Sequence, residues 1–191
     1  MYDYLSKMSA VMRSNVNIND FADSFNTTQL NSKRWVVEEV CKYVPVNNPK
    51  ILILGGWYGS YLVPMLREHL DPSHIYFNDL NPSCLEIAKK LHGNSAITYH
   101  NFDAREPYTH FDADLVINTS CEHMSSYEEM LREGSQAVFV CQSCDNANDP
   151  GHVNVSRSTQ EFVAKLGFRQ VLFAGRKDLG HKNRFLVVGK T

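Results

Sequence analysis

Long apolar runs are missing from this chain. None of its 191 residues belong to a stretch near the roughly 20 apolar residues that a membrane span needs. The segment Met1 to Arg13 also has no apolar stretch of the kind a secretory leader carries, so a membrane partner and a leader are not expected. A surplus of either charge is missing too. Nineteen Lys and Arg face 21 Asp and Glu, giving a formal net charge of −2, and this advertises no groove for a long nucleic acid. A small-molecule or nucleotide-type substrate is the better expectation. Cysteine is scarce: five residues, an odd number, in a chain long enough to bury a core without covalent staples. Reduced thiols in a cytosol are the simplest reading. Cys141-x-x-Cys144 lacks a second pair and follows a strand-like run, so it reads as a buried Cys141 ending a strand with Cys144 in a loop. Repeats, low-complexity tracts and long linkers are absent as well, and one domain is expected over residues 1–191.

What the chain does have is an alternation of short apolar runs with helical patterns. Residues 1–48 read as a helical cover, with Val36, Val37, Val40 and Tyr43 at helical spacing and Asn31 or Ser32 as the cap. Pro45 to Pro49 end that helix. Strands are expected over Lys50–Leu54, Ile75–Asn78, Ile97–His100, Leu115–Asn118 and Ala137–Cys141. Helices are expected over Tyr61–His69, Pro82–Leu91, Ser126–Arg132 and Thr159–Leu166, the last stopped by Gly167. Such alternation implies a mostly parallel, doubly wound α/β sheet covered on both faces. Two further runs, Gln170–Ala174 and Arg184–Val188, are joined only by "GRKDLGHKN". With no helix pattern between them they should pair antiparallel, closing a seven-stranded sheet with a C-terminal hairpin.

The chemistry gathers where the strands end. "ILILGGWYGS" (51–60) carries a buried strand into a turn with Gly55, Gly56 and Gly59. Glycine there permits positive φ and close approach of a ligand to the backbone. Trp57 and Tyr58 break the G-x-G-x-x-G spacing of dinucleotide binders, which argues against NAD. In "IYFNDLNPSCLEIAKKL" Asp79 stands at the next strand end, where a carboxylate can accept hydrogen bonds from the two hydroxyls of a ribose. Asp79 or Asn81 could equally cap the helix that opens at Pro82. "HNFDAR" then offers Asp103 on the same rim, suited to an adenine amino group; Leu80 and Phe102 flank the two acids.

This order of glycine turn, Asp79, Asp103 and "FDADLVIN" resembles the class I S-adenosylmethionine (SAM)-dependent methyltransferases over roughly residues 50–190. The combination of "QLNSKRW", "LGGWYGS" and "VINTSCEHM" also resembles small stand-alone methyltransferase-like proteins of phage and marine bacteria. The resemblance implies SAM as the cofactor. It places Gly55, Gly56, Trp57, Tyr58 and Gly59 along the methionine and ribose parts, Asp79 on the ribose and Asp103 on the adenine. It also sets Asn118 and the loop after it beside the transferred methyl group. The chain departs from the family pattern at Ile53, where an acid is frequent, and at Trp57, where glycine is.

The loop "VINTSCEHMSSYEEM" crowds Asn118, Cys121, Glu122 and His123 onto the same edge. His123 is suited to take a proton from a substrate hydroxyl or amine, and Glu122 to orient the imidazole or bind an ammonium. The bland alternative is that both simply belong to the start of a helix. "CEHM" is similar to the Glu-His pair of ubiquinone-pathway O-methyltransferases and of small-RNA end methyltransferases. The latter hold a metal with a further Glu, where this chain has Thr119, so no metal is assigned. Cys121 is placed beside the acceptor but not as a nucleophile, since nothing in the sequence depresses its pKa. Gln142, Ser143 and His152 follow on the next strand and loop, and Lys33 and Trp35 come from the N-terminal cover; these five complete the expected substrate contacts. The reading is methyl transfer to oxygen or nitrogen. SAM cleavage, transfer of another SAM group, and a non-catalytic binding module on the same fold are the alternatives.

Overall fold

A computed structural model describes residues 2–14, 16–44, 46–106, 111–127, 130 and 135–191. The five apolar runs form strands β1 (Lys50–Leu54), β2 (His74–Asn78), β3 (Ile97–His100), β4 (Leu115–Asn118) and β5 (Val138–Cys144). All five lie parallel, with β1 paired to β2 on one side and β4 on the other. The chain therefore reverses its lateral progress between β1 and β4, which opens a crevice beyond their carboxyl ends. The last two strands, β6 (Gln170–Asp178) and β7 (Asn183–Lys190), form the expected antiparallel hairpin. β7 slots between β5 and β6, giving the order β3–β2–β1–β4–β5–β7–β6.

The helices are α1 (Tyr2–Met12), α2 (Ile18–Asp23), α3 (Thr27–Tyr43), α4 (Leu62–Leu70), α5 (Pro82–His92) and α6 (Thr159–Leu166). Alternate residues of β1 face opposite ways, as strand geometry requires. Ile51 and Ile53 pack with Val36, Val40, Leu66 and Ala88 of α3, α4 and α5. Leu52 and Leu54 pack with Phe139, Phe162 and Leu166 on the α6 side. A third cluster, Val11, Phe21, Tyr58 and Leu91, ties α1 and α2 to α5 and the turn after β1.

Three expectations need correction. α3 starts at Thr27, not near residue 32, because Asn26 caps it by accepting from the Gln29 amide at 2.7 Å. β5 runs on to Cys144, because β7 supplies an antiparallel partner for each added residue, Gln142 to Leu186, Ser143 to Phe185 and Cys144 to Arg184. Cys144 is thus a buried strand residue, not part of a loop. Between Asn118 and β5 the described chain holds only a 3₁₀ turn, Cys121–His123; the helix expected over 126–132 lies largely outside the described residues.

The N-terminal segment is bonded to the glycine turn and contributes Ser24, Gln29 and Lys33 to the lining of the crevice. Tyr4 Oη donates to the Ser60 carbonyl (2.7 Å), Ser24 and Ser60 hydroxyls meet at 2.8 Å, and Tyr61 Oη donates to the Phe25 carbonyl (2.8 Å). α1 and α2 are clasped to the glycine turn by these bonds.

Candidate functional site

A cavity of about 730 Å³ opens beyond the carboxyl ends of β1, β2 and β4. Its size falls within the range of small-molecule and cofactor sites. The glycine turn forms one wall. Gly55 and Gly59 have φ of 60° and 63°, and Trp57, although not glycine, has φ of 52°. The left-handed backbone at Trp57 costs about 1 kcal/mol or more and persists only where its surroundings fix it. They do: the Trp57 amide donates to Asp79 Oδ2 at 2.7 Å. A side chain at Gly56 would place Cβ 2.4 Å from Phe77 Cζ, inside the core. Trp57 lines the cavity. Tyr58 does not; it stacks on Trp57 at 5.0 Å and is buried against Phe21.

The rim acids come next. Asp79 Oδ1 accepts from the Asn81 amide at 2.8 Å, so two backbone N–H groups aim the carboxylate into the cavity. Burial raises its pKa, partly offset by those two bonds and by nearby His123. Asn81, not Asp79, caps α5, accepting from the Ser83 amide at 2.9 Å. Leu80 lies open at the mouth with 64% of its surface exposed. Asp103 lines the cavity too, but Arg105 grips both its oxygens at 2.5–3.1 Å and holds its pKa low. Phe102 stacks on Phe111 at 5.6 Å and is not on the wall.

The loop after β4 sorts its side chains differently from the expectation. Asn118 turns inward: Oδ1 accepts from the Ser120 amide (2.9 Å), and Nδ2 faces the sulfurs of Met124 and Met130. It shapes the loop from behind, while Thr119 and Ser120 take its place on the wall. Ser120 Oγ donates to the Gly55 carbonyl at 3.0 Å, joining this loop to the glycine turn. Cys121 is sealed in the core, and burial pushes its thiol well above the ordinary value. Glu122 and His123 diverge. Glu122, 2% exposed, lies in the cavity lining and takes Arg184 Nη1 at 2.5 Å. Burial alone would raise its pKa, but the Arg184 charge outweighs that and the net shift is downward. His123 lies open on the cavity. Its Nδ1 sits 3.1 Å from the Gly151 carbonyl and so donates to it, which makes Nε2 the acceptor of the neutral ring. Its ring meets His152 edge to face at 4.6 Å.

Of the expected substrate contacts, Lys33 and His152 line the cavity; Trp35, Cys121, Gln142 and Ser143 do not. Trp35 packs on Phe173 at 6.3 Å, and Gln142 lies within β5, accepting from Ser32 Oγ at 2.7 Å. Sequence reasoning missed Arg184, Lys182, Arg105 and Asp149. Arg184 and Lys182 stand in and beside the hairpin, and the only signal for them was its antiparallel return alongside β5. Among the described residues, Glu122, Cys144 and His152 bring metal-ligand atoms within 4.8 Å of one another. Arg184 holds Glu122 through Oε1, and His152 Nδ1 donates to the Asn146 carbonyl at 2.6 Å, which leaves Glu122 Oε2 without a partner among the described residues and His152 Nε2 4.0 Å from Glu122 Oε1.

No family model and no curated protein matches the sequence. Solved structures do match the fold. The magnesium protoporphyrin IX methyltransferase of Synechocystis PCC 6803, with bound S-adenosylhomocysteine (SAH), is 13% identical; the match covers 100% of this chain and 94% of that one at a TM-score of 0.65. The same protein has been solved with SAM. A SAM-dependent methyltransferase from Clostridium acetobutylicum is 12% identical over 90% of this chain and 98% of that one, with a TM-score of 0.63. A putative one from Listeria monocytogenes is 13% identical over 83% and 99%, with a TM-score of 0.59. The chain has the α/β fold of the class I SAM-dependent methyltransferases.

Proposed function

We propose that the protein is a SAM-dependent methyltransferase acting on an oxygen or nitrogen of a small-molecule or nucleotide-containing acceptor. One observation carries the reading: the Asp79 carboxylate, aimed by the Trp57 and Asn81 amides, stands beside the Gly55–Gly59 turn in a cavity that continues to His123. When bound, SAM supplies a methyl group activated on a sulfonium. Asp79 keeps lone pairs free for the ribose hydroxyls after accepting its two amides. The glycine turn lets the ligand lie against backbone, and Leu80 offers an apolar ledge for the adenine. Asp103, pinned by Arg105, presents a fixed acceptor edge nearby.

For the acceptor, His123 is the proton-taking group. Its Nδ1 proton is held by Gly151, which would leave Nε2 of the neutral ring to act as the base. Glu122 is poorly suited to that role because Arg184 keeps it ionised and weakly basic. It anchors the guanidinium instead. Most of the rate gain would come from positioning.

Calorimetric titration with SAM, SAH and NAD tests the reading. Micromolar binding of the first two, no binding of NAD, and loss of SAH binding in Asp79→Ala are expected. No binding of SAM or SAH would overturn it. Product analysis follows: SAH supports methyl transfer, whereas methylthioadenosine would replace it with SAM cleavage.

A further inference from the structure

Three cations converge on the end of the cavity away from Asp79. Lys33 comes from α3, Lys182 from the turn of the hairpin and Arg184 from β7. The carboxylates at that end are already engaged. Glu122 pairs with Arg184, and Asp149, 43% exposed, sits 3.7 Å from His152 Nε2. Lys33 and Lys182 have no side-chain hydrogen bond or ion pair among the described residues. A lysine without a partner normally swings its ammonium into bulk water. Here burial first, and repulsion from Arg184 and Lys182 second, bring the Lys33 pKa down to about 7, with Glu122 pulling the other way. Those three are the charged groups that act on it, from the hairpin and from the loop after β4. Glu122 offsets the Arg184 charge, and among the described residues neither lysine has an anion paired to it in this partly enclosed space. Arg184 adds a guanidinium with one N–H given to Glu122 and Nε without a partner. Such a cluster is suited to a carboxylate or phosphate.

We infer, resting on the functional reading above, that Lys33, Lys182 and Arg184 form an anion subsite and that the methyl acceptor carries a carboxylate or phosphate seated there. Lys33 and Lys182 bind the anion directly. Arg184, fixed by Glu122, sets the potential and the position of the group. The acceptor is thereby oriented with its opposite end towards His123 and the glycine turn. The same chemistry has a second source, the carboxylate of SAM's own methionine part, and the two sources respond differently to SAH.

The measurement is the pH titration of the Lys33 side chain by NMR of lysine-labelled protein, with Lys33→Met identifying its resonance. It is followed in the free protein, at saturating SAH, and at saturating SAH with inorganic phosphate or acetate added. SAH alone should leave the depressed titration in place. Phosphate or acetate on top of SAH should raise the midpoint by about one pH unit or more, as a close opposite charge does. Lys182→Gln should weaken that response several-fold; neither substituted lysine has a partner to lose, so both variants should fold, as circular dichroism would show. A response to phosphate without acetate identifies a phosphoryl acceptor, and a response to both a general anion subsite. No response to either anion at tens of millimolar overturns the proposal. A rise caused by SAH alone also overturns it, because the cations would then hold the cofactor. Failure of SAH to bind in the calorimeter would sink the functional reading, and with it the acceptor assignment, independently of the lysine signal.

Discussion

The two ends of one cavity are made from different materials. At the glycine-turn end the contacts are mostly backbone: the Trp57 and Asn81 amides on Asp79, Ser120 Oγ on the Gly55 carbonyl, and Gly56 pressed on Phe77. At the hairpin end they are side-chain charges: Glu122 on Arg184, with Lys33 and Lys182 unpaired among the described residues. Backbone geometry is set by the sheet and resists small sequence changes. Paired side-chain charges depend on every member being present. The first end therefore specifies one shape, whereas the second is a balance that a single substitution can tip.

The sharpest way to break this contrast is Glu122→Ala. Removing the carboxylate strands Arg184 in a buried site beside two lysines, at a cost of about 3–5 kcal/mol. Urea unfolding should show that loss, and Glu122→Gln should recover part of it. A smaller loss, about 2 kcal/mol, is expected for Gly56→Ala, whose new Cβ collides with the fully buried Phe77 ring. The same experiment measures it, and a neutral result would mean that Phe77 gives way. Asp79→Asn should lose one of the two amide bonds, because its NH2 cannot accept, at a cost of about 1–2 kcal/mol in urea unfolding, and should weaken SAH by at least about tenfold, read by calorimetry. A loss of stability with SAH affinity unchanged would mean that Asp79 serves only the turn.

The fourth effect is absent at neutral pH and grows on acidification. His92 Nε2 bonds the Tyr58 carbonyl at 2.8 Å, and burial lowers its pKa from 6.5 to about 4. A base whose folded pKa is depressed is protonated more readily in the unfolded chain. Its contribution is complete above pH 6.5 and is lost as pH falls from 6.5 towards 4. Denaturant midpoints measured across that window should decline, and His92→Gln should flatten the decline. An unchanged slope would show that other groups dominate the acid limb.

The two ends also differed in how far the sequence revealed them. The run "ILILGG", the acid at Asp79 and the rim acid Asp103 are local patterns, each fixed by a strand and the turn that follows it, and the structure lines the cavity with Gly55, Gly56, Asp79 and Asp103. The hairpin end was legible only in part. Lys33 was within reach because it sits in a conspicuous polar stretch. Arg184 was not, because it meets Glu122 across 62 residues and only through β7 lying beside β5. Asn118, Gln142 and Ser143 failed for a related reason. Each does stand at or near the end of a strand, but which way a strand residue faces depends on register. The antiparallel extension of β5 and the turn after β4 direct these three inward. Boundaries slipped where a cap or a neighbouring strand intervened, as at Asn26 and Cys144, and held where flanking glycine stops the element, as at Gly167.

The terminal hairpin carries a consequence of its own. Lys182 and Arg184 sit in and just after the short connection between Asp178 and Asn183, on a two-stranded ribbon attached to the sheet only through β7 and β5. The parallel strands that shape the glycine turn do not run through it. Replacing the tip of that ribbon with one of another length or charge would present new groups to the hairpin end of the cavity and leave the β1–β4 crevice untouched. Acceptor choice would then be an interchangeable fitting on a fixed chassis, open to drift between relatives and to deliberate exchange by grafting.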